Sequence, residues 1–210
     1  EAHYEKGFSK DYNKEHAIDT VKLLAFLNKT QPEIVEKYNL EQDGIDREKF
    51  LSALQLKIEK NGIIDTLRKE FYYLNDSITL FYASPSENNA KARVMYEQNI
   101  FSVTRQLYYH PIHDYSIDVV LFINGLPVIT MELKNLITHQ NIYNAMKQYR
   151  EDRDMRDLLF HFGRCMVHFA VDDNEIMMCT HLKNQASWFL PFNKGYNDGA
   201  GNPPNPNGVK

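Results

Sequence analysis

The chain has 210 residues, 43% hydrophobic and 25% charged, with a formal net charge of −4, which is enough for one sizeable core or a core plus a small helical part. The negative balance excludes a stand-alone basic nucleic-acid binder, so any DNA affinity must come from a local patch or from partners. Two cysteines give no disulfide framework, and neither a membrane-length apolar run nor a secretory signal pattern is present, so the chain reads as a cytoplasmic fragment with no membrane partner.

From residue 13 to 70 the pattern is helical. Ile18, Val21, Leu24 and Ala25 recur at helix spacing, and Thr30 with Glu33 makes a capping-box signal around Pro32. Another helix opens near Asp46 and carries Phe50, Leu51, Leu54 and Ile58. Asn61-Gly62 stops it, and Ile63, Ile64 and Leu67 begin a short one. Residues 1–76 hold no catalytic motif and are assigned a structural, helical role. A short strand is predicted over 78–82, then a polar helix over 87–98 with Val94 and Met95 inward. The sheet begins at 101–109, where β-branched and aromatic residues alternate, and the loop 110–114 returns the chain to a second strand.

Two apolar runs, 117–123 and 126–131, flank Asn124-Gly125. Both turn residues tolerate the positive φ of a type I′ turn, so the stretch is a tight hairpin. A turn centred there places Asp118 opposite Glu132 within a residue of register. Strand alternation puts Glu132 and Lys134 on one face and Leu133 on the other, so an Asp, a Glu and a Lys converge at the end of an apolar hairpin. Charge buried there needs a ligand or a counter-charge, and two carboxylates at close range resist double ionisation, so without metal one carboxyl pKa should rise. Mg²⁺, which takes oxygen ligands and one or two carboxylates, is the natural candidate. For an arbitrary D…ExK match, however, a hairpin-end salt bridge is the commoner explanation.

After Lys134 a helix over 141–154 carries Ile142, Ala145, Met146, Tyr149 and Arg153 on one face and should cover the sheet. Strands over 165–171 and 175–182 and a short one near 188–190 follow. Residues 193–210 contain four Gly, three Pro and five Asn and read as a linker toward a missing part. The division is therefore a helical part (1–76), an α/β core (77–192) and the linker (193–210). His110 and His113 lie in a Pro-containing turn, where a solvated loop outweighs metal binding. Alternation keeps Cys165 and His168 from converging with Cys179 and His181 on zinc. No G-x-x-x-x-G-K-[ST] motif occurs, and Gly195, Gly199 and Gly201 precede no helix, so no phosphate cradle is expected.

The segments VLFINGLPVITMELKN (120–135), AMKQYREDRD, FGRCMVHFAVDDNEIMM and FLPFNKGYNDGAGNPPNP resemble the amino-terminal nuclease region of the restriction (R, or HsdR) subunit of type I restriction-modification enzymes. Asp118 with Glu132-Leu133-Lys134 resembles the PD-(D/E)xK signature. The likeness spans roughly residues 99–207 and is weaker over 1–89. It implies a restriction-endonuclease-like α/β fold, a mixed sheet flanked by helices. It also implies Mg²⁺-dependent hydrolysis of double-stranded DNA, with Mn²⁺ able to substitute. By the same resemblance, Asp118, Glu132 and the backbone carbonyl of Leu133 hold the metal, and Lys134 positions or activates water. Gln148 stands near the centre. Its adjacency to Tyr149 departs from the Q-x-x-x-Y spacing of some relatives, which leaves Tyr149 open to a core role. A further carboxylate used in such folds has no match here. Arg105, Gln106, Lys147, Arg150 and Tyr149 are the weaker DNA-contact candidates. The implied partners are DNA and the methylation (M) and specificity (S) subunits, with ATP consumed only in a translocase region absent from this chain. The rival reading is an inactive nuclease-like module that docks the other subunits.

Overall fold

The computed structural model describes residues 4–86, 89–135, 137 and 139–192; the expected linker over 193–210 lies outside them. Strand β1 (Tyr4–Lys6) precedes a small ribbon, β2 (Tyr12–Asn13) and β3 (Ile18–Asp19), and four helices, α1 (Thr20–Thr30), α2 (Pro32–Lys37), α3 (Ile45–Asn61) and α4 (Ile63–Arg68). A second ribbon, β4 (Phe71–Tyr73) and β5 (Asp76–Ile78), and helix α5 (Ala90–Tyr96) lead into the meander β6 (Phe101–Tyr108), β7 (Ser116–Ile123) and β8 (Leu126–Leu133). Helix α6 (Ile142–Lys147) then crosses to β9 (Val167–Val171), β10 (Ile176–Cys179) and β11 (Leu190–Pro191).

The main sheet has seven strands in the order β1-β6-β7-β8-β9-β10-β11. β1 lies parallel to β6 and β8 parallel to β9, and the other pairings are antiparallel. A parallel β8–β9 pair requires a crossover, and α6 supplies it. Each sheet face has its own core. On one, Leu23, Phe26, Phe50, Leu54 and Ile58 pack with Leu126 and Val128 of β8. On the other, Val120 and Phe122 pack under Ile142, Ala145, Tyr149 and Phe160. Each such side chain contributes roughly 1.5–3 kcal/mol on burial, so the hairpin is held from both sides.

Its turn has φ +50° at Asn124 and +81° at Gly125, the type I′ geometry that Asn-Gly favours. The turn is nonetheless buried. Asn124 exchanges hydrogen bonds with Ile100, its N–H donating to the carbonyl at 2.8 Å and its Oδ1 accepting from the amide at 2.6 Å, and its Nδ2 donates to the Leu80 carbonyl at 2.8 Å. The Gly125 carbonyl accepts from the Asp19 N–H at 2.8 Å, and Asp19 also caps α1 by accepting from the Lys22 N–H. The hairpin tip thus abuts the start of α1.

Several local expectations give way for identifiable reasons. Residues 79–82 are not a strand, because Asn side chains replace a strand partner there: Asn99 bonds both the N–H and the carbonyl of Tyr82, and Asn124 takes the Leu80 carbonyl. Helix α5 buries none of its residues, and Val94 is 56% exposed. The Thr30 hydroxyl donates to the Phe26 carbonyl within α1 rather than capping the next helix. The short strand β1 escaped the sequence pattern because all three of its residues are exposed.

Candidate active site

The β7–β8 ladder runs Val120↔Thr130 and Val119↔Met131, so one more step sets Asp118 opposite Glu132. Glu132 is 1% exposed and pairs laterally with Ala170 of β9. On the other flank the β6–β7 ladder runs Arg105↔Val119 and resumes at Leu107↔Ile117. The gap is Gln106, whose φ is +50°. Burial in β6 changes phase at this residue, with Ser102 and Thr104 buried before it and Leu107 and Tyr109 after it. The kink exposes Arg105 and Gln106 side by side. Gln106 Nε2 donates to Asp118 Oδ1 at 2.8 Å, and its Oε1 accepts from the Ser116 hydroxyl at 3.2 Å. Asp118 Oδ2 accepts from the Leu133 N–H at 2.8 Å. Asp118 is thereby fixed at the edge of the site.

The cation that meets Glu132 is Arg153, not Lys134. Arg153 Nε donates to Glu132 Oε1 at 2.8 Å and Nη2 donates to the same oxygen, while Nη1 donates to the Tyr109 hydroxyl at 3.1 Å. Burial drives the Glu132 pKa up to about 7; Arg153 opposes the rise and the Asp118 charge adds to it. Desolvation is therefore the leading cause of the raised carboxyl, ahead of like-charge repulsion. Lys134 forms no ion pair with any described residue, so the bland alternative of a salt bridge from Lys134 to its neighbouring carboxylates is not what the hairpin end contains.

Arg153 reaches Glu132 because α6 opens into a π-helical turn, Gln148–Asp152, after which the Arg153 N–H donates to the Gln148 carbonyl at 3.1 Å. Such turns recur at functional sites. Gln148 Oε1 is enclosed and has no hydrogen-bond partner among the described residues. Tyr149 is fully buried, and its hydroxyl bonds Thr130 Oγ1 at 2.8 Å, which in turn bonds His168 Nδ1 at 2.7 Å. Burial lowers the His168 pKa to about 3, so this chain of groups is neutral. Tyr149 belongs to the core and is corrected as a DNA-contact candidate. Lys147 faces Glu151 at 3.5 Å. Arg150 donates to the Ser187 carbonyl at 3.0 Å and lies over the Phe189 ring.

Other histidines serve structure. His110 Nδ1 accepts from the N–H groups of Ile112 and His113, which closes the turn. Among the described residues, only Glu15, His16 and Glu48 group with metal-ligand spacing. Both ring nitrogens of His16 are engaged there, by Gln55 at 2.9 Å and Glu48 at 2.8 Å.

A family described as type I restriction enzyme R protein N terminus matches residues 8–187 of this chain. The chain belongs to that family. No curated protein matches it. As an R-protein N-terminal region it has the restriction-endonuclease-like α/β fold that the resemblance implied, and the match reaches back into the helical part where the sequence likeness was weak. Among the described residues no helix is long and apolar enough to cross a membrane.

Arg153 was legible as a helix-face residue but not as part of the site. The available signal was a cation on a face otherwise made of Ile142, Ala145, Met146 and Tyr149. Tyr109, its second partner, carried no signal beyond strand alternation.

Proposed function

We propose that this region is the Mg²⁺-dependent DNA endonuclease of a type I R subunit, hydrolysing phosphodiester bonds of double-stranded DNA within a complex that also holds M and S subunits. The observation that carries the reading is the meeting of Asp118 and Glu132 at the ends of two central strands, a hard-oxygen donor set in which one guanidinium is bonded to Glu132. Asp118, Glu132 and the Leu133 carbonyl are the groups that hold Mg²⁺ or Mn²⁺. When bound, the ion supplies Lewis acidity and positive charge at the scissile phosphate.

The protein's own groups do the rest. Gln106 and the Leu133 N–H keep the Asp118 carboxylate turned to the site. Arg153 holds Glu132 by one oxygen and offsets its burial. Lys134, outside any ion pair among the described residues, orients the attacking water and faces the charge that builds on the phosphate oxygens. Gln148, whose Oε1 is enclosed without a hydrogen-bond partner among the described residues, positions a water at the site. ATP is used only by the translocase region of the R subunit.

The Arg153 clamp favours a second reading, in which Glu132 is neutralised for good and the module only docks other subunits. The test is cleavage by the assembled complex carrying Glu132→Ala or Lys134→Ala, with saturating Mg²⁺. Loss of cleavage with retained ATP-driven translocation supports the nuclease; full cleavage in both variants supports the docking module.

A further inference from the structure

We propose that an open groove beside the acidic pair, bordered by Ser9, Lys10, Lys14, Tyr108, Asp114 and Ser116, seats the DNA phosphodiester backbone, with Lys10 and Lys14 as its phosphate-binding cations. This rests on the nuclease reading above. The groove encloses about 540 Å³, and its wall is continuous with the site. Ser116 stands two residues before Asp118 on β7, roughly 7 Å along a strand, and the hydrogen-bond chain Ser116–Gln106–Asp118 joins them. Tyr108, the lateral partner of Ser116, is 42% exposed.

The chemistry suits a polyanion. Neither Lys10 nor Lys14 forms an ion pair with a described residue; Lys10 only lies over the Phe8 ring at 5.8 Å. Two lysines outnumber the single Asp114 on the lining, and the Tyr108 phenol and the Ser9 hydroxyl add phosphate donors. Of the cations predicted from the sequence, Lys147 and Arg150 are already engaged, while Arg105 stays exposed on β6, the strand that also supplies Tyr108 to the groove. For a chain of net charge −4, backbone affinity has to come from such a local patch.

The backbone that carries the two lysines is anchored beside β6. The Gly7 N–H donates to the Val103 carbonyl at 2.9 Å, and a Cβ at Gly7 would strike the Thr104 hydroxyl. The N-terminal segment therefore lies tight on β6. Ser9 Oγ accepts from the Tyr108 N–H at 2.8 Å, fastening the Lys10 turn to the same strand. Lys14 rides on a turn in which Asn13 Oδ1 accepts from the N–H groups of Glu15 and His16, each at 3.0 Å.

The test uses the full R subunit and a short non-specific DNA duplex with Ca²⁺ in place of Mg²⁺, reading affinity against salt. In Lys10→Ala/Lys14→Ala the slope of log affinity against log salt should fall by one to two, since each phosphate contact contributes about 0.9. At about 0.1 M salt that is a loss of roughly tenfold or more. Lys10→Arg/Lys14→Arg should restore the slope. Lys29→Ala/Lys49→Ala, the same charge loss on exposed helix positions, should leave it unchanged. An unchanged slope in the groove variant, or an equal fall in the helix variant, overturns the proposal. Failure of the nuclease reading is separately visible, because Glu132→Ala then keeps full cleavage whatever the salt slopes show.

Discussion

Glu132 and Arg153, 21 residues apart, form a buried ion pair in which two guanidinium nitrogens donate to one carboxylate oxygen. At 1% and 8% exposure respectively, both are withdrawn from water, so each is costly without the other.

Arg153→Met keeps most of the volume and removes the charge. It should destabilise the fold by about 3 kcal/mol, the lower end for breaking a buried pair. The double variant Glu132→Gln/Arg153→Met should recover much of that loss, since no uncompensated charge remains. Urea unfolding of the single and double variants gives both values. Equal stability of wild type and Arg153→Met would show that the pair is energetically idle.

The raised Glu132 pKa makes stability fall with rising pH. A folded-state pKa of about 7 against an ordinary 4.5 means that between these values the folded state binds more protons than the unfolded one, so the slope of stability on pH is negative there. Below pH 4.5 the group contributes no penalty, and above 7 the penalty is complete. One proton accounts for at most about 1.4 kcal/mol per pH unit. In metal-free buffer Glu132→Gln should flatten this part of the stability–pH curve. A curve of the same slope in wild type and variant would place the proton elsewhere.

The hairpin and its acidic pair were readable because local chemistry specifies them: Asn-Gly selects the turn, and the turn fixes which residues face each other. The reading stopped where the answer depended on tertiary context. Strict alternation from Phe101 to Tyr109 could not show that Gln106 adopts a positive φ and shifts the burial phase. The π-turn that carries Arg153 to Glu132 leaves the same apolar face as an α-helix would. The helical part was recognisable from its periodicity, but not its docking on the hairpin, because the bond from Asp19 to Gly125 joins backbone groups that have no side-chain signature.

That docking has a measurable consequence at Gly125. A Cβ there would strike the Asp19 carbonyl and the Leu23 N–H, and φ is +81°. Gly125→Ala should therefore cost well over the roughly 1 kcal/mol of left-handed strain alone, because backbone of α1 has to move. Gly44 is the control: a Cβ there meets nothing within 4 Å, and its φ of 176° is extended backbone. Thermal unfolding of Gly125→Ala and Gly44→Ala should separate them clearly, and equal midpoints would mean that the turn does not bear on the helix.

Gln106 provides the sharpest test of how the site is held. Its amide donates to Asp118 Oδ1, while the Leu133 N–H supplies a bond from the backbone to Oδ2. Gln106 is exposed, so Gln106→Ala should leave the unfolding midpoint in place and act through the lost bonds to Asp118 and Ser116. Losing an outer partner of a metal ligand typically costs 10- to 100-fold in metal affinity. The expected result is Mn²⁺ binding weaker by roughly tenfold, with cleavage by the assembled complex recovered as Mn²⁺ is raised. Gln106→Glu should fare worse at every metal concentration, because it brings a third negative charge to the pair and deprives Asp118 of its donor. A positioning role predicts this order of wild type, Ala and Glu in calorimetric Mn²⁺ titrations. If all three bind alike, Asp118 does not depend on Gln106 for its orientation, and the kink in β6 must be explained by the groove it borders.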